Sequence, residues 1–383
     1  MAEPFVADDF IEKAQKATGL ERFDSDSFRE GLEVLIADVN RQGVPDPLRP
    51  RFEGLAVGML TNRLKANAYL ESRPELLQRP IERPLFVFGI PRTGTTLLSN
   101  LLAMDPARRS PLTWEIDDPV PPATTAALKT DPRALARLEQ EKQMLAANPE
   151  MGKYYRNSAI YPNECMFFMA HDFKGLMWES RGKLPAYRDW LFSTDLTSTY
   201  QYHKRFLQLL QAEAPGVWNL KMPSHALWLE TLLAIYPDAR LVWTHRDPLT
   251  ATGSFCSLIT LGHRGSVGVI DKAWIAEDMP YQAVLHADRI MDSRAKIGHD
   301  RIVDVHYANL MREPIATMRK LYAALGDDFT PEAEASMQAW LDDNPQGKFG
   351  RHEYKLGEFG LTPGGVRNMF ERYLSEYEVE PEG

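Results

Sequence analysis

The sequence predicts an α/β protein: a central parallel sheet flanked by helices, preceded by a helical N-terminal region. Three observations predict it. Leu85–Phe88 is a short apolar run without polar alternation, the pattern of a strand buried on both faces. Comparable runs at Val217–Met222, Arg240–His245 and Arg301–His306 alternate with segments of helical period, as strand–helix–strand crossovers require. The first run passes through a glycine turn, Gly89 to Gly94, into Leu97, Leu98, Leu101 and Leu102 at helical spacing.

Each element has a local cause. Phe10, Ile11 and Ala14 open the helical region, and Phe28, Leu32, Leu35, Ile36 and Val39 mark an amphipathic helix with Ser25 or Asp26 as its cap. Leu55, Met59, Leu60, Leu64 and Leu70 mark another, and Pro74, Pro80 and Pro84 deliver the chain to the first strand. Residues 1–80 therefore read as a helical cover and a dimer surface, and 81–383 as the α/β domain. A helical insertion of about 120–215 is expected to form the acceptor pocket. Within it, 131–147 is a charged helix with Glu139, Glu141 and Lys142 on a solvated face. Residues 151–192 are rich in aromatics, and 197–212 form a further helix. Trp114-Glu115 is expected on a second strand or its exit. Pro223-Ser224-His225 opens a helix that Tyr236 closes. Asp247 caps the next, with Pro248 in its first turn. A helix runs to Leu325 after the last strand, and 344–365 reads as loop.

The glycine turn is the chemical centre. Strand, loop and helix N-terminus point N–H groups inward and set the helix dipole against an anion. Thr93, Thr95 and Thr96 add hydroxyls, and Arg92 adds a planar cationic fork. The spacing of Gly89 and Gly94 matches a P-loop, yet Thr95-Thr96 stand where a nucleoside triphosphatase needs Lys and then Ser or Thr. That suits a nucleotide with one bridging anhydride and no metal. It disfavours a nucleotide kinase, the alternative reading; a non-catalytic nucleotide-binding protein is a third. Ligands of parallel sheets bind at the carboxyl ends of strands, and Arg92, Lys221, His225 and Arg246 all lie just past strand ends. They are expected to form one site.

Composition narrows the rest. The chain has 383 residues, 44% hydrophobic and 25% charged, in the ordinary globular range. A net charge of −9 argues against general nucleic-acid or anionic-membrane binding, so an anionic ligand must be held by local groups. Two cysteines, Cys165 and Cys256, provide no disulfide framework, which predicts a cytoplasmic setting. No apolar run reaches membrane-spanning length, and the N-terminal stretch lacks a basic start and an apolar signal core. The nine histidines show no metal-ligand spacing.

Several segments in order resemble the sulfotransferases that use 3′-phosphoadenosine 5′-phosphosulfate, in their bacterial branch. Pro91-Arg-Thr-Gly-Thr-Thr96 is similar to the family's 5′-phosphosulfate loop, and Arg246 with Ser254 to its 3′-phosphate site. Lys221-Met-Pro-Ser-His225 resembles the strand end carrying Lys and a catalytic His, and Gly347-Lys-Phe-Gly-Arg351 the loop that covers the nucleotide. The likeness spans 84 to about 360, and Ala17–Leu20 and Asn62–Leu64 extend it to bacterial members. It implies sulfuryl transfer to a hydroxyl of a small apolar acceptor, such as a lipid, sterol or phenol, without a metal. Implied cofactor ligands are Arg92, Thr93, Gly94, Thr95, Thr96, Arg246, Ser254, Gly350 and Arg351. Implied catalytic groups are Lys221 and Arg92, with His225 as first choice for the base. Arg at position 92, where cytosolic members carry Lys, resembles branches in which a downstream Glu is the base, and Glu115 occupies a matching place.

Overall fold

In the computed structural model, which describes residues 3–147, 158–345 and 356–382, five strands form one parallel sheet. They are β1 (Leu85–Gly89), β2 (Arg108–Arg109), β3 (Val217–Lys221), β4 (Arg240–His245) and β5 (Ile302–His306), in spatial order β2-β3-β1-β4-β5. The central β1 pairs with β3, Val87 opposite Lys221, and with β4, Gly89 opposite Thr244. All five residues of β1 are buried, as its unbroken apolar run requires. Leu85 and Val87 face a core with Leu98, Leu101 and Val242, whereas Phe86 and Phe88 face a larger one with Leu220 and Trp243.

The N-terminal helices Ala7–Thr18, Ser27–Gln42 and Arg49–Glu71 contribute Phe10, Phe28, Leu32 and Leu60 to that larger core. Arg63 anchors them: fully buried, it donates to Asp24 Oδ1 at 2.7 Å and Asp172 Oδ1 at 2.6 Å. A buried cation is tolerated only with such partners.

Strands and helices fall largely where the periodicity puts them, with instructive exceptions. Trp114 and Glu115 lie in a short helix, Thr113–Asp117; the strand before it shrinks to the pair Arg108–Arg109. Glu141 is buried and accepts from the Ala159 N–H, so it is not on a solvated face. Pro223–Trp228 is a 3₁₀ turn, and the α-helix begins at Leu229. Pro314 divides the helix after β5 into Tyr307–Arg312 and Pro314–Leu325. Asp26 holds the N-cap position of its helix without a capping bond, whereas Asp247 accepts from Leu249 N at 3.1 Å as expected. Among the described residues no helix is long and apolar enough to cross a membrane.

Candidate active site

The loop after β1 is built around two glycines that no other residue could replace without rearrangement. Gly94 has φ 93°, and a Cβ there would lie 2.5 Å from Tyr307 Cδ2; a Cβ on Gly89 would meet Thr244 O at 2.8 Å. Arg92 sits between them at φ 75°, a left-handed conformation costly for a non-glycine residue. Two contacts hold it. Its Nε donates to Ser254 Oγ at 2.8 Å, and its carbonyl accepts from Arg246 Nη1 at 3.0 Å. Residues 162 and 154 positions away in sequence thus meet the loop directly. The Arg246 guanidinium also lies over the Tyr307 ring, 4.1 Å from its centroid.

The three threonines divide their work. Thr93 is fully buried; its hydroxyl donates to Ile90 O at 2.7 Å and lies 2.6 Å from Thr244 Oγ1. It braces the loop, contrary to its expected use as a hydroxyl donor to phosphate. Thr95 and Thr96 begin the helix Thr95–Leu102, and Thr96 Oγ1 lies 3.3 Å from Lys221 Nζ. Lys221, at the end of β3, also donates to Glu164 Oε1 at 2.6 Å. The lysine side chain is 1% exposed and the glutamate 21%, so Glu164 is the member of the pair that reaches solvent.

Sequence reasoning missed Glu164. Its only signal is three-dimensional: the N–H of the next residue, Cys165, donates to Lys221 O at 3.0 Å and docks the segment against β3. It also missed Glu382, whose Oε1 and Oε2 accept from Arg246 Nε at 2.6 Å and Nη2 at 2.7 Å in a bidentate pair.

The two expected bases lie elsewhere. His225 is fully buried, with Nδ1 2.8 Å from Tyr200 OH and its ring edge-on to Phe86. Burial, with His203 nearby, drives its pKa well below the ordinary value. It packs on the Phe86 side of the sheet, away from the helix that Lys221 faces. This corrects the expectation that a strand end shared with Lys221 would put both groups in one site. Glu115 is 1% exposed and has both oxygens occupied, one by Arg109 in a short ion pair and one by Leu112 N at 3.1 Å. Arg109 in turn stacks on Trp218. The aromatic residues Phe168, Trp178 and Tyr187 are core, not an open wall. Gly350 and Arg351 lie outside the described residues.

A parallel sheet whose first strand runs through a glycine–threonine loop into a helix defines the P-loop-like α/β class. Within that class the chain belongs to the sulfotransferase family, whose profile matches residues 84–331. The crystal structure of sulfotransferase STF9 from Mycobacterium avium is 41% identical and superposes with a TM-score of 0.93 over 100% of both chains. Sulfotransferase STF1 from Mycobacterium tuberculosis is 30% identical, with a TM-score of 0.86 over 97% of this chain and 99% of its own. An omega-hydroxy-beta-dihydromenaquinone-9 sulfotransferase of Mycobacterium bovis is 24% identical over 255 residues, 63% of this chain. The match spans 62% of that relative's length.

Proposed function

We propose that the protein transfers a sulfuryl group from 3′-phosphoadenosine 5′-phosphosulfate to a hydroxyl of an apolar acceptor. The observation that carries this reading is the junction of Arg92, Ser254 and Arg246 on the phosphate loop. Arg92, Thr95, Thr96 and the loop N–H groups, Gly94 among them, take the 5′-phosphate. Arg246 and Ser254 take the 3′-phosphate, and each charged hydrogen bond contributes roughly 1.5–3 kcal/mol. A dedicated 3′-phosphate site also discriminates against ATP.

Lys221 faces the oxygen that bridges phosphate and sulfur, where charge grows as the S–O bond breaks; such preorganised cations are the main lever in this kind of transfer. Glu164, hydrogen-bonded to Lys221 and partly exposed, is the proton acceptor we assign. The acceptor oxygen forms its bond to sulfur, its proton passes to the Glu164 carboxylate, and adenosine 3′,5′-bisphosphate leaves. The family and the lipid-like substrate in the name of the menaquinone-modifying relative support a long-chain or isoprenoid alcohol as acceptor.

Equilibrium binding of adenosine 3′,5′-bisphosphate against ATP with Mg²⁺ tests the nucleotide. Tighter binding of the bisphosphate, weakened by Arg246→Ala, is expected; preference for ATP refutes the reading. A labelled-sulfate screen of hydroxylated lipids and phenols then identifies the acceptor class.

A further inference from the structure

Behind the Lys221–Glu164 pair lies a second constellation that sulfuryl transfer does not use. Cys165 Sγ and one ring nitrogen each of His203 and His225 lie within 4.8 Å of one another, and all three residues are buried. They come from separate elements: Cys165 precedes the helical turn Met166–Met169, His203 lies on the helix Thr197–Leu210, and His225 on the turn after β3. In each imidazole Nδ1 is tied to a tyrosine hydroxyl, His203 to Tyr236 at 2.7 Å and His225 to Tyr200 at 2.8 Å. Nε2 of both rings is buried without a hydrogen-bond partner.

Two unpaired polar atoms in an aromatic core need an explanation, since each costs about 1–3 kcal/mol. With the proton on Nδ1 and donated to the tyrosine oxygen, each Nε2 presents its lone pair. That is the arrangement by which an outer hydrogen bond orients a metal-binding histidine.

We propose that Cys165, His203 and His225 form a buried site for one d¹⁰ metal ion, copper(I) or zinc(II). Two imidazoles and a thiolate are the donors such ions take, at about 2.0–2.1 Å to nitrogen and about 2.3 Å to sulfur for zinc, so the triangle closes somewhat on binding. The thiol proton leaves to solvent as the metal–sulfur bond forms. Copper(I) with one thiolate is electrically neutral, whereas zinc(II) leaves a net positive charge in a dry pocket; charge balance therefore selects copper(I). The ion joins three elements at the rear of the strand end that carries Lys221, to which Cys165 N is already bonded.

The full chain is unfolded in guanidinium under anaerobic reducing conditions. It is then refolded with copper(I) or, in a parallel arm, zinc(II), and freed of loose metal by a weak chelator. Elemental analysis is expected to find about one equivalent retained, with a raised unfolding midpoint. Cys165→Ser and His203→Gln should each cut retention at least about tenfold. Cobalt(II) loading of the unmutated chain should give a thiolate-to-cobalt absorption band, a readout that survives if a variant fails to fold. Retention below about a tenth of an equivalent of either ion, or equal retention by Cys165→Ser, overturns the proposal. Which arm retains metal decides between the two ions.

Discussion

Lys221 and His225 leave one strand end four residues apart and arrive in opposite environments. Lys221 turns toward the phosphate-loop helix, where Thr96 and the partly exposed Glu164 receive it. His225 turns to the Phe86 face, into a packing of Tyr200, His203 and Phe86. The front of the sheet is thus charged and reachable, and the rear is aromatic and dry. A strand end gives an address along the sheet, but the face each side chain takes is set by the following turn. Here the 3₁₀ turn Pro223–Trp228 swings the imidazole behind β1.

The contrast predicts different failures on the two sides. Glu164→Gln keeps the shape of the front pair and removes the carboxylate proposed as proton acceptor. Turnover should fall about 10²–10⁴-fold while the affinity for adenosine 3′,5′-bisphosphate changes by less than about threefold. Steady-state kinetics beside calorimetric binding make the check, and full turnover in this variant would remove Glu164 from the chemistry.

His225→Ala should do the reverse. Emptying a fully buried ring site costs about 2–4 kcal/mol of stability, readable in denaturant unfolding. Below its unfolding temperature the variant should lose less than about tenfold in turnover. A large loss of turnover with stability intact would return the base to the imidazole and break the front–rear division.

The difference between the faces also marks what the sequence could reveal. The β1 loop was legible because glycine spacing, threonines and a buried apolar strand are local signals, and Asp247-Pro248 announced its helix for the same reason. Arg246 could be placed near the loop because two strand ends of a parallel sheet share a rim, whereas Ser254 was indicated only by the resemblance to the family's 3′-phosphate site. Glu164 could not be found this way, since only the docking of Cys165 N on Lys221 O brings it there. Nor could the Cys165–His203–His225 cluster, whose members are spread over three elements with no ligand spacing. The sequence likewise gave no sign that Arg109 would satisfy Glu115 from β2.

The rear side contains an acid that measures its dryness. Glu179 is fully buried, and burial pushes its carboxyl up from 4.5 to about 7, with a hydrogen bond from Gln282 and the charge of Arg188 pulling partly back. Gln282 also bonds Asp278, which pairs with Arg188, so the surrounding charges are already matched. The folded chain keeps a proton at Glu179 that the unfolded chain loses, so the contribution of this one group to stability should be full below about pH 4.5 and be lost as pH rises to about 7, against the opposite slope of the buried histidines. The decline should be roughly 2–3 kcal/mol. The difference in stability between the parent and Glu179→Gln should therefore change by that amount in unfolding curves taken across the range, and a difference that stays constant with pH would mean the site admits water.

The front side, in contrast, should respond to competition between anions. The Glu382 carboxylate grips Arg246 with two hydrogen bonds, the geometry with which an arginine takes phosphate, and its own N–H donates to Asp247 Oδ2 at 2.9 Å. A 3′-phosphate that uses Arg246 must displace it. The pair is partly exposed, at 15% for Arg246 and 34% for Glu382, so its worth is modest. Glu382→Gln should therefore tighten bisphosphate binding by about three- to tenfold at low salt, with the gain shrinking as salt rises. In the Arg246→Ala background the same change should have no effect, because both act on one contact. A gain that persists without Arg246 would place the 3′-phosphate elsewhere on the rim, and an unchanged affinity in the single variant would mean that the carboxylate and the nucleotide do not compete.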